Sequence, residues 1–230
     1  MNLRSLLLVA ALALPMLPST SEAQEAEVAS ETKKVMNAGL GFGWHFFQDD
    51  AVKSIYGGKG RFLTKVQVGL VPWSKYVHVE VNASISFTQF TGSAQFVSGG
   101  SSADNVMFTL FPIGVDLLVG IDIADEQPVV PYGGVGISHT IFRENETGGG
   151  TAYPGYRFGG SVFFGGAFLL DIIERSRSAE LDSKSGINDA FFTIEGRYNG
   201  LQSKFESGAL TPATFGLQSW QIVAGIKLVI

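Results

Sequence analysis

After Lys34 the apolar side chains of this chain fall on every second position, in eight separate stretches. A period of two belongs to a strand with one apolar face, because successive side chains of an extended backbone point to opposite sides. In the first stretch Met36, Ala38, Leu40, Phe42, Trp44 and Phe46 share one face, and Asn37, Gly39, Gly41, Gly43 and His45 the other. The second sets Phe62, Val66, Val68 and Leu70 against Lys65, Gln67 and Gly69. The third, Val77 to Phe87, sets Val79, Val81 and Ile85 against His78, Glu80, Asn82, Ser84 and Ser86. Five more follow, at Val106–Ile121, Val130–Phe142, Tyr156–Leu170, Ala190–Tyr198 and Trp220–Ile230. A bulge is expected at Phe111-Pro112, since proline cannot donate to a ladder. Beyond the N-terminus no apolar run approaches the ~20 residues of a transmembrane helix, which is thereby excluded.

The connections decide how eight strands are joined. Those at Gln48–Arg61, Thr91–Asn105, Arg143–Gly155 and Asn199–Ser219 are long and rich in Gly, Ser and charge; those at Pro72–Ser74 and Asp122–Pro128 are short. Long and short links alternating over an even number of strands predict an all-β fold, an eight-stranded antiparallel transmembrane up-and-down barrel with both termini on the periplasmic side. Asp171–Asn188 departs from the pattern by its length and reads as an ordered periplasmic turn, with Asp171 capping a brief helix through Arg177.

Either face of such strands could be the inner one. In a soluble ligand-carrying barrel the apolar face points inward. Here the polar face is mostly glycine and hydroxyl, and only 16% of the chain is charged, too little to make a solvated exterior. The apolar face is Val, Ile, Leu and Phe with aromatics towards the strand ends, as a lipid-facing wall with interfacial girdles requires. Lipid therefore meets the apolar face.

The first 23 residues predict export. One cation, Arg4, precedes the apolar stretch Leu6 to Leu17, and Ser21 and Ala23 stand at the small-x-small positions of a cleavage site. Residues 1–23 thus read as a signal peptide, 24–34 as a polar lead-in, and 35–230 as the barrel. Arg4 and Glu22 cancel, so the mature chain keeps the formal charge of −5. That mild acidity gives no footprint for nucleic acid. The absence of cysteine removes disulfides, thiolate metal sites and a lipoprotein anchor.

Several segments carry a family likeness. Tyr56-Gly57-Gly58 follows the aromatic first strand, Val130-Pro131-Tyr132 opens the fifth, and Leu181-Asp182 precedes Gly186-Ile187-Asn188 ahead of Phe191-Phe192 and Arg197-Tyr198. Over Asn37 to Ile230 the chain resembles a family of small predicted outer-membrane β-barrel proteins of delta-proteobacterial genomes. The likeness implies location and fold, and carries no reaction or ligand. Trp220, Ile222, Ile226, Leu228 and Ile230 resemble the C-terminal assembly signal read by the outer-membrane assembly machinery, with Ile230 where the terminal Phe usually stands.

An eight-stranded barrel has an interior that side chains fill. The inward polar residues Lys65, Gln67, Glu80, Asn82, Asp116, Glu195 and Arg197 are then expected to pair, since buried charge needs a partner. A turn at Trp73-Ser74 would set Gln67 opposite Glu80 and Lys65 opposite Asn82, with Lys65 and Glu80 diagonal. Paired, they form an ionic plug; continuous, they would line a proton or ion path. A lipid-modifying hydrolase would need His and Ser two apart on one strand. Gly43 and Phe47 flank His45, Tyr76 and Glu80 flank His78, and Ile137 and Ile141 flank His139, so no site forms. No catalytic residue, metal or cofactor is expected. Gly148-Gly149-Gly150 lacks the lysine of a phosphate loop, and Asn145-Glu146-Thr147 is a chance glycosylation triplet. The expected role is an envelope structural or surface-recognition scaffold, with lipid, the assembly machinery and a surface or envelope protein as partners. A narrow ion or small-solute conduit is the alternative reading, and a lipid-modifying enzyme the third.

If the export reading holds, the protein extracted from membranes begins at Gln24. N-terminal sequencing tests this, and an intact Met1 would refute it.

Overall fold

The computed structural model describes residues 35–74, 76–95, 101–123, 127–146, 152–170, 186–202 and 216–230. The signal peptide and lead-in, and the link from Asp171 with its expected helix, lie outside them. Eight strands form one closed antiparallel barrel in sequence order. They are β1 (Met36–Phe47), β2 (Arg61–Ser74), β3 (Val77–Gln95), β4 (Ser101–Ile121), β5 (Val129–Glu146), β6 (Ala152–Leu169), β7 (Asp189–Gln202) and β8 (Ser219–Val229), with a short helix α1 (Asp50–Tyr56) between the first two. Closure is made by β1 on β8, from Asn37 opposite Val229 to Phe47 opposite Ser219.

The apolar face points outward, as its composition requires. Ile137 is 70% exposed, Phe164 67%, Phe62 59% and Trp44 56%, with Val66, Val115 and Ile226 also exposed between them. A continuous apolar surface of this extent suits hydrocarbon and not water. Trp44, Phe62, Phe87, Phe111, Tyr156, Tyr198 and Trp220 form a belt at the end carrying the long links; Trp73, Tyr76, Phe168 and Phe192 stand towards the end carrying the termini. Phe111 and Ile121 are ten residues apart on β4. At ~3.3 Å rise and ~40° tilt that separates them by roughly 25 Å, the height of an apolar barrel band.

The strands are longer on one side. β3 to β6 run 18 to 21 residues, while β1 and β8 have 12 and 11. Past the aromatic belt they continue as an antiparallel wall, paired out to Gln95 with Ser101 and Asn145 with Ala152.

Two expectations need correction. Pro72–Ser74 is not a turn: it lies in β2, whose register against β3 shifts between Leu70 and Trp73, and Ser74 pairs with His78. Proline disrupts a ladder by lacking an N–H, and here the disruption is a bulge inside the strand. At Phe111-Pro112 there is no bulge. Pairing to β3 skips these two residues without changing register, and pairing to β5 is continuous. The Gln48–Arg61 link, read only as long and rich in Gly, Ser and charge, contains α1.

Ile226 is exposed on the outer face of β8, opposite Leu40. Ile226→Arg should cost about 2–4 kcal/mol in a lipid-refolding titration, while Ser84→Thr on the inner face should cost far less. Deleting Leu228 to Ile230 removes the backbone partners of Val35, Met36 and Asn188. In lipid those groups have no substitute, so the truncated chain should fail to reach the membrane in normal yield, as measured by membrane fractionation.

Candidate functional site

With the apolar face outward, the inner face must fill a narrow lumen. It does so in three layers. At the end of the long links, Phe47, Val52, Tyr56, Phe90, Val106, Phe108, Leu110, Phe142 and Leu217 form a buried apolar plug. Val52 and Tyr56 come from α1, and the sequence shows why a helix forms there. Asp49 caps it, accepting from the Val52 N–H at 3.2 Å, and Asp49 also accepts from the Gly216 N–H at 2.7 Å, tying the helix to the entry of β8. Gly57 ends it at φ 81° and donates back to the Lys53 carbonyl, the left-handed stop that glycine makes without strain. Tyr56 stacks on Phe108 at 5.1 Å, and burial, reinforced by Glu144 beside it, pushes its phenol above the ordinary value. At the end of the termini, Val130, Ala167, Phe191 and Val229 form a second apolar cluster.

Between them lies the charged layer, in two groups. In the first, Arg197 of β7 reaches across the lumen to Asp116 of β4 with two parallel N–H···O bonds of 2.8 Å. It also donates to Glu195 at 3.0 Å and to the Ser161 hydroxyl at 3.0 Å, with its guanidinium 4.3 Å above the Phe163 ring. Lys65 of β2 donates to Glu195 at 3.1 Å and lies 3.9 Å from Asp116. In the second, Lys227 of β8 donates to Glu80 of β3 at 2.7 Å; the same carboxylate is held by His78 and accepts from Asn82 at 2.9 Å. Asn82 in turn accepts from Asn37 of β1 at 2.9 Å. All six charged side chains are buried, three cations against three carboxylates. The bidentate Arg–carboxylate pair is the geometry in which such a bond is strongest.

Glycine makes the room. A Cβ at Gly136 would collide with the Asp116 carboxylate, and one at Gly69 with the Asn82 amide. The strand face that carries charge therefore alternates with positions that carry no side chain.

Of the residues expected from sequence, Lys65, Asp116, Glu195 and Arg197 lie in one group. Glu80 and Asn82 belong to the second group. Lys65 is opposite Ser86, and Gln67 opposite Ser84, four positions from the expected partners, because the hairpin turns beyond Ser74. Gln67 lines the lumen beside Gly39. Lys227, His78, Asn37 and Ser161 were missed as members. Lys227 was legible as an inward cation on β8; what sequence withheld was its height relative to Glu80. Trp220, Ile222, Ile226, Leu228 and Ile230 lie on the outer face of the closing strand. His45 is buried in the lumen beside Gln221, and His139 faces outward between Tyr156 and Phe158.

No protein-family model and no curated protein matches the chain. Solved structures similar to it include Neisserial surface protein A, at 15% identity over 85% of this chain and 96% of that one, TM-score 0.45. The attachment invasion locus protein Ail of Yersinia pestis, in complex with the heparin analogue sucrose octasulfate, matches at 11% over 86% and 100%, TM-score 0.46. The outer membrane protein OprG of Pseudomonas aeruginosa matches at 14% over 86% and 94%, TM-score 0.48.

Removing one partner from a buried pair strands the other. Arg197→Ala and Glu80→Ala should each lower stability by roughly 3–5 kcal/mol, less where lumen water relaxes the charge. Thermal unfolding in detergent reads this. Arg197→Ala with Asp116→Ala should lose less than the sum of the singles, whereas Arg197→Ala with Lys227→Ala should be close to additive, because the two sit in separate groups.

Proposed function

We propose that this chain is an integral outer-membrane protein of a Gram-negative cell envelope, exported with a cleaved signal peptide and acting without catalysis. It is a structural or surface-recognition scaffold that presents its long links outside the cell. The observation that carries the reading is the pairing of a continuous exposed apolar belt with a lumen closed towards both ends by apolar clusters, with the neutralised charged layer between them. A belt alone suits any lipid-embedded barrel; the filled lumen favours a scaffold over the conduit. The wall made by β3 to β6 gives the contact platform, a rigid backbone raised past the aromatic belt. Its partner class is a surface or envelope protein, and the outer-membrane assembly machinery and lipid complete the set. The likeness to the delta-proteobacterial family belongs to this proposal and rests on the motifs named above, of which Leu181-Asp182 lies outside the described residues.

The absence of cysteine makes the topology testable with single introduced thiols. On intact cells an impermeant maleimide should label Lys59→Cys and leave Ser74→Cys unlabelled until the outer membrane is opened; the reverse pattern would invert the barrel. Purified protein in planar bilayers should show little steady conductance. A stable ion-selective conductance, altered by Glu80→Ala without loss of stability, would replace the scaffold with the conduit.

A further inference from the structure

The second charged group holds more than an ion pair. Glu80 is buried, and its carboxylate accepts from Lys227 Nζ on one oxygen at 2.7 Å and from the Asn82 side-chain N–H on the other at 2.9 Å. A lysine amine and a carboxamide thus stand on either side of one carboxylate. His78 holds the oxygen that Lys227 uses. From β1, Asn37 donates to the Asn82 side-chain carbonyl at 2.9 Å, across the gap left by Gly69, which lies between them in register. Asn37, Asn82 and Lys227 are each 3% exposed or less. The Lys227 Nζ lies 5.5 Å from the Phe191 ring centre and 5.9 Å from that of Tyr132.

These are the parts of an acyl transfer. Lysine is a nucleophile once it gives up a proton, and a carboxylate within hydrogen-bond reach is a base that can take it. An N–H aimed at the carbonyl oxygen stabilises the charge that forms there when the carbon is attacked. Burial keeps out water, the competing nucleophile.

We propose that Lys227 and Asn82 join in an isopeptide bond, made by the chain on itself, once per molecule, when the barrel has closed. Glu80 takes a proton from the Lys227 ammonium, and the free amine attacks Cγ of Asn82 while Asn37 holds the oxyanion. Glu80 then passes that proton to the amide nitrogen and takes another from Nζ. The Cγ–Nδ2 bond breaks and ammonia leaves. An ammonium, a carboxylate and a carboxamide have become a secondary amide, a carboxylic acid and ammonia, so atoms and charge balance. No charge is left alone in the lumen. Nζ must close to about 3–3.5 Å from Cγ, a position that rotation of the flexible lysine stem reaches from beside Glu80. The bond ties β3 to the closing strand β8 across the lumen, whatever the long links contact.

The test uses the wild-type protein extracted from membranes in detergent. Its intact mass should fall below that of the mature sequence by one ammonia, and its tryptic digest should contain a branched peptide joining β3 to β8 with Lys227 uncut. Lys227→Arg cannot link and should regain one ammonia relative to its own sequence. Cyclisation of an N-terminal Gln24 loses the same mass but is untouched by that substitution. Glu80→Gln keeps the size of the side chain and removes the base. In chains refolded from denaturant into detergent it should slow linkage about a hundredfold or more. If Glu80→Gln does not fold, the branched peptide of the wild type decides alone. A wild-type chain of full mass, a digest cut after Lys227, a mass deficit unchanged in Lys227→Arg, or linkage at the wild-type rate in folded Glu80→Gln would each overturn the proposal.

Discussion

The structure depends on backbone hydrogen bonds that hydrocarbon cannot replace. Inside a bilayer each unpaired N–H or C=O costs several kcal/mol, so a chain that crosses as strands must leave no open edge. The ladder between β1 and β8 meets that demand along their length, and Val35, Met36 and Ile230 continue it beyond the last strand residue. Closure with eight strands then fixes the interior at side-chain width. Everything that lies inside follows: the glycines, the cross-lumen pairs and the apolar clusters are solutions to filling a space whose size the ladder has set.

The outer half of this solution is written plainly in the sequence, because lipid imposes a simple rule that each strand obeys by itself. Leu40, Val66, Val115 and Ile226 can be assigned to the outer face from their neighbours alone. Strand number and order follow from the same local pattern with the lengths of the links. The inner face obeys a rule that is not local. Whether Glu80 meets Lys65 or Lys227 depends on the relative heights of β2, β3 and β8, and a hairpin that turns beyond Ser74, with a bulge at Val71-Pro72 inside the strand, sets the inner-face register four positions from the one expected. Pro72 signalled a disruption correctly; only the geometry of the chain on both sides tells a bulge from a turn.

The plug was hidden for a different reason. Phe90, Phe108 and Phe142 lie on the inner face of strands that extend past the apolar belt. There the alternation inverts, with aromatics inward and Gln89, Thr91 and Arg143 outward, because the outer solvent has changed from hydrocarbon to water. A reading that follows one apolar face along a strand stops where that face stops being apolar, and so ends β3 at Phe87. The inversion itself was a usable signal, as was Asp49 three residues before Val52 with Gly57 beyond, the two ends of a short helix.

The charged layer raises the question of why the lumen is not simply hydrocarbon throughout. In a folded protein, replacing buried ion pairs by well-packed apolar residues is often neutral or stabilising, so the stability of the finished barrel does not by itself account for Lys65, Glu80, Asp116, Glu195, Arg197 and Lys227. Their effect is larger before closure. With Leu or Val at those positions β2, β3, β4, β7 and β8 would each lose their inner-face charge and gain longer uncharged runs of β-prone residues, the pattern that pairs indiscriminately between chains. A charge or a glycine at alternate positions breaks each run. It also makes wrong registers unfavourable, because a slip of one residue turns every charge towards lipid, and a slip of two separates Arg197 from Asp116 and Lys227 from Glu80. The two groups thus do in the unclosed chain what the backbone ladder cannot, which is to distinguish one register from its neighbours. Once the barrel closes, the same six side chains neutralise one another across the lumen.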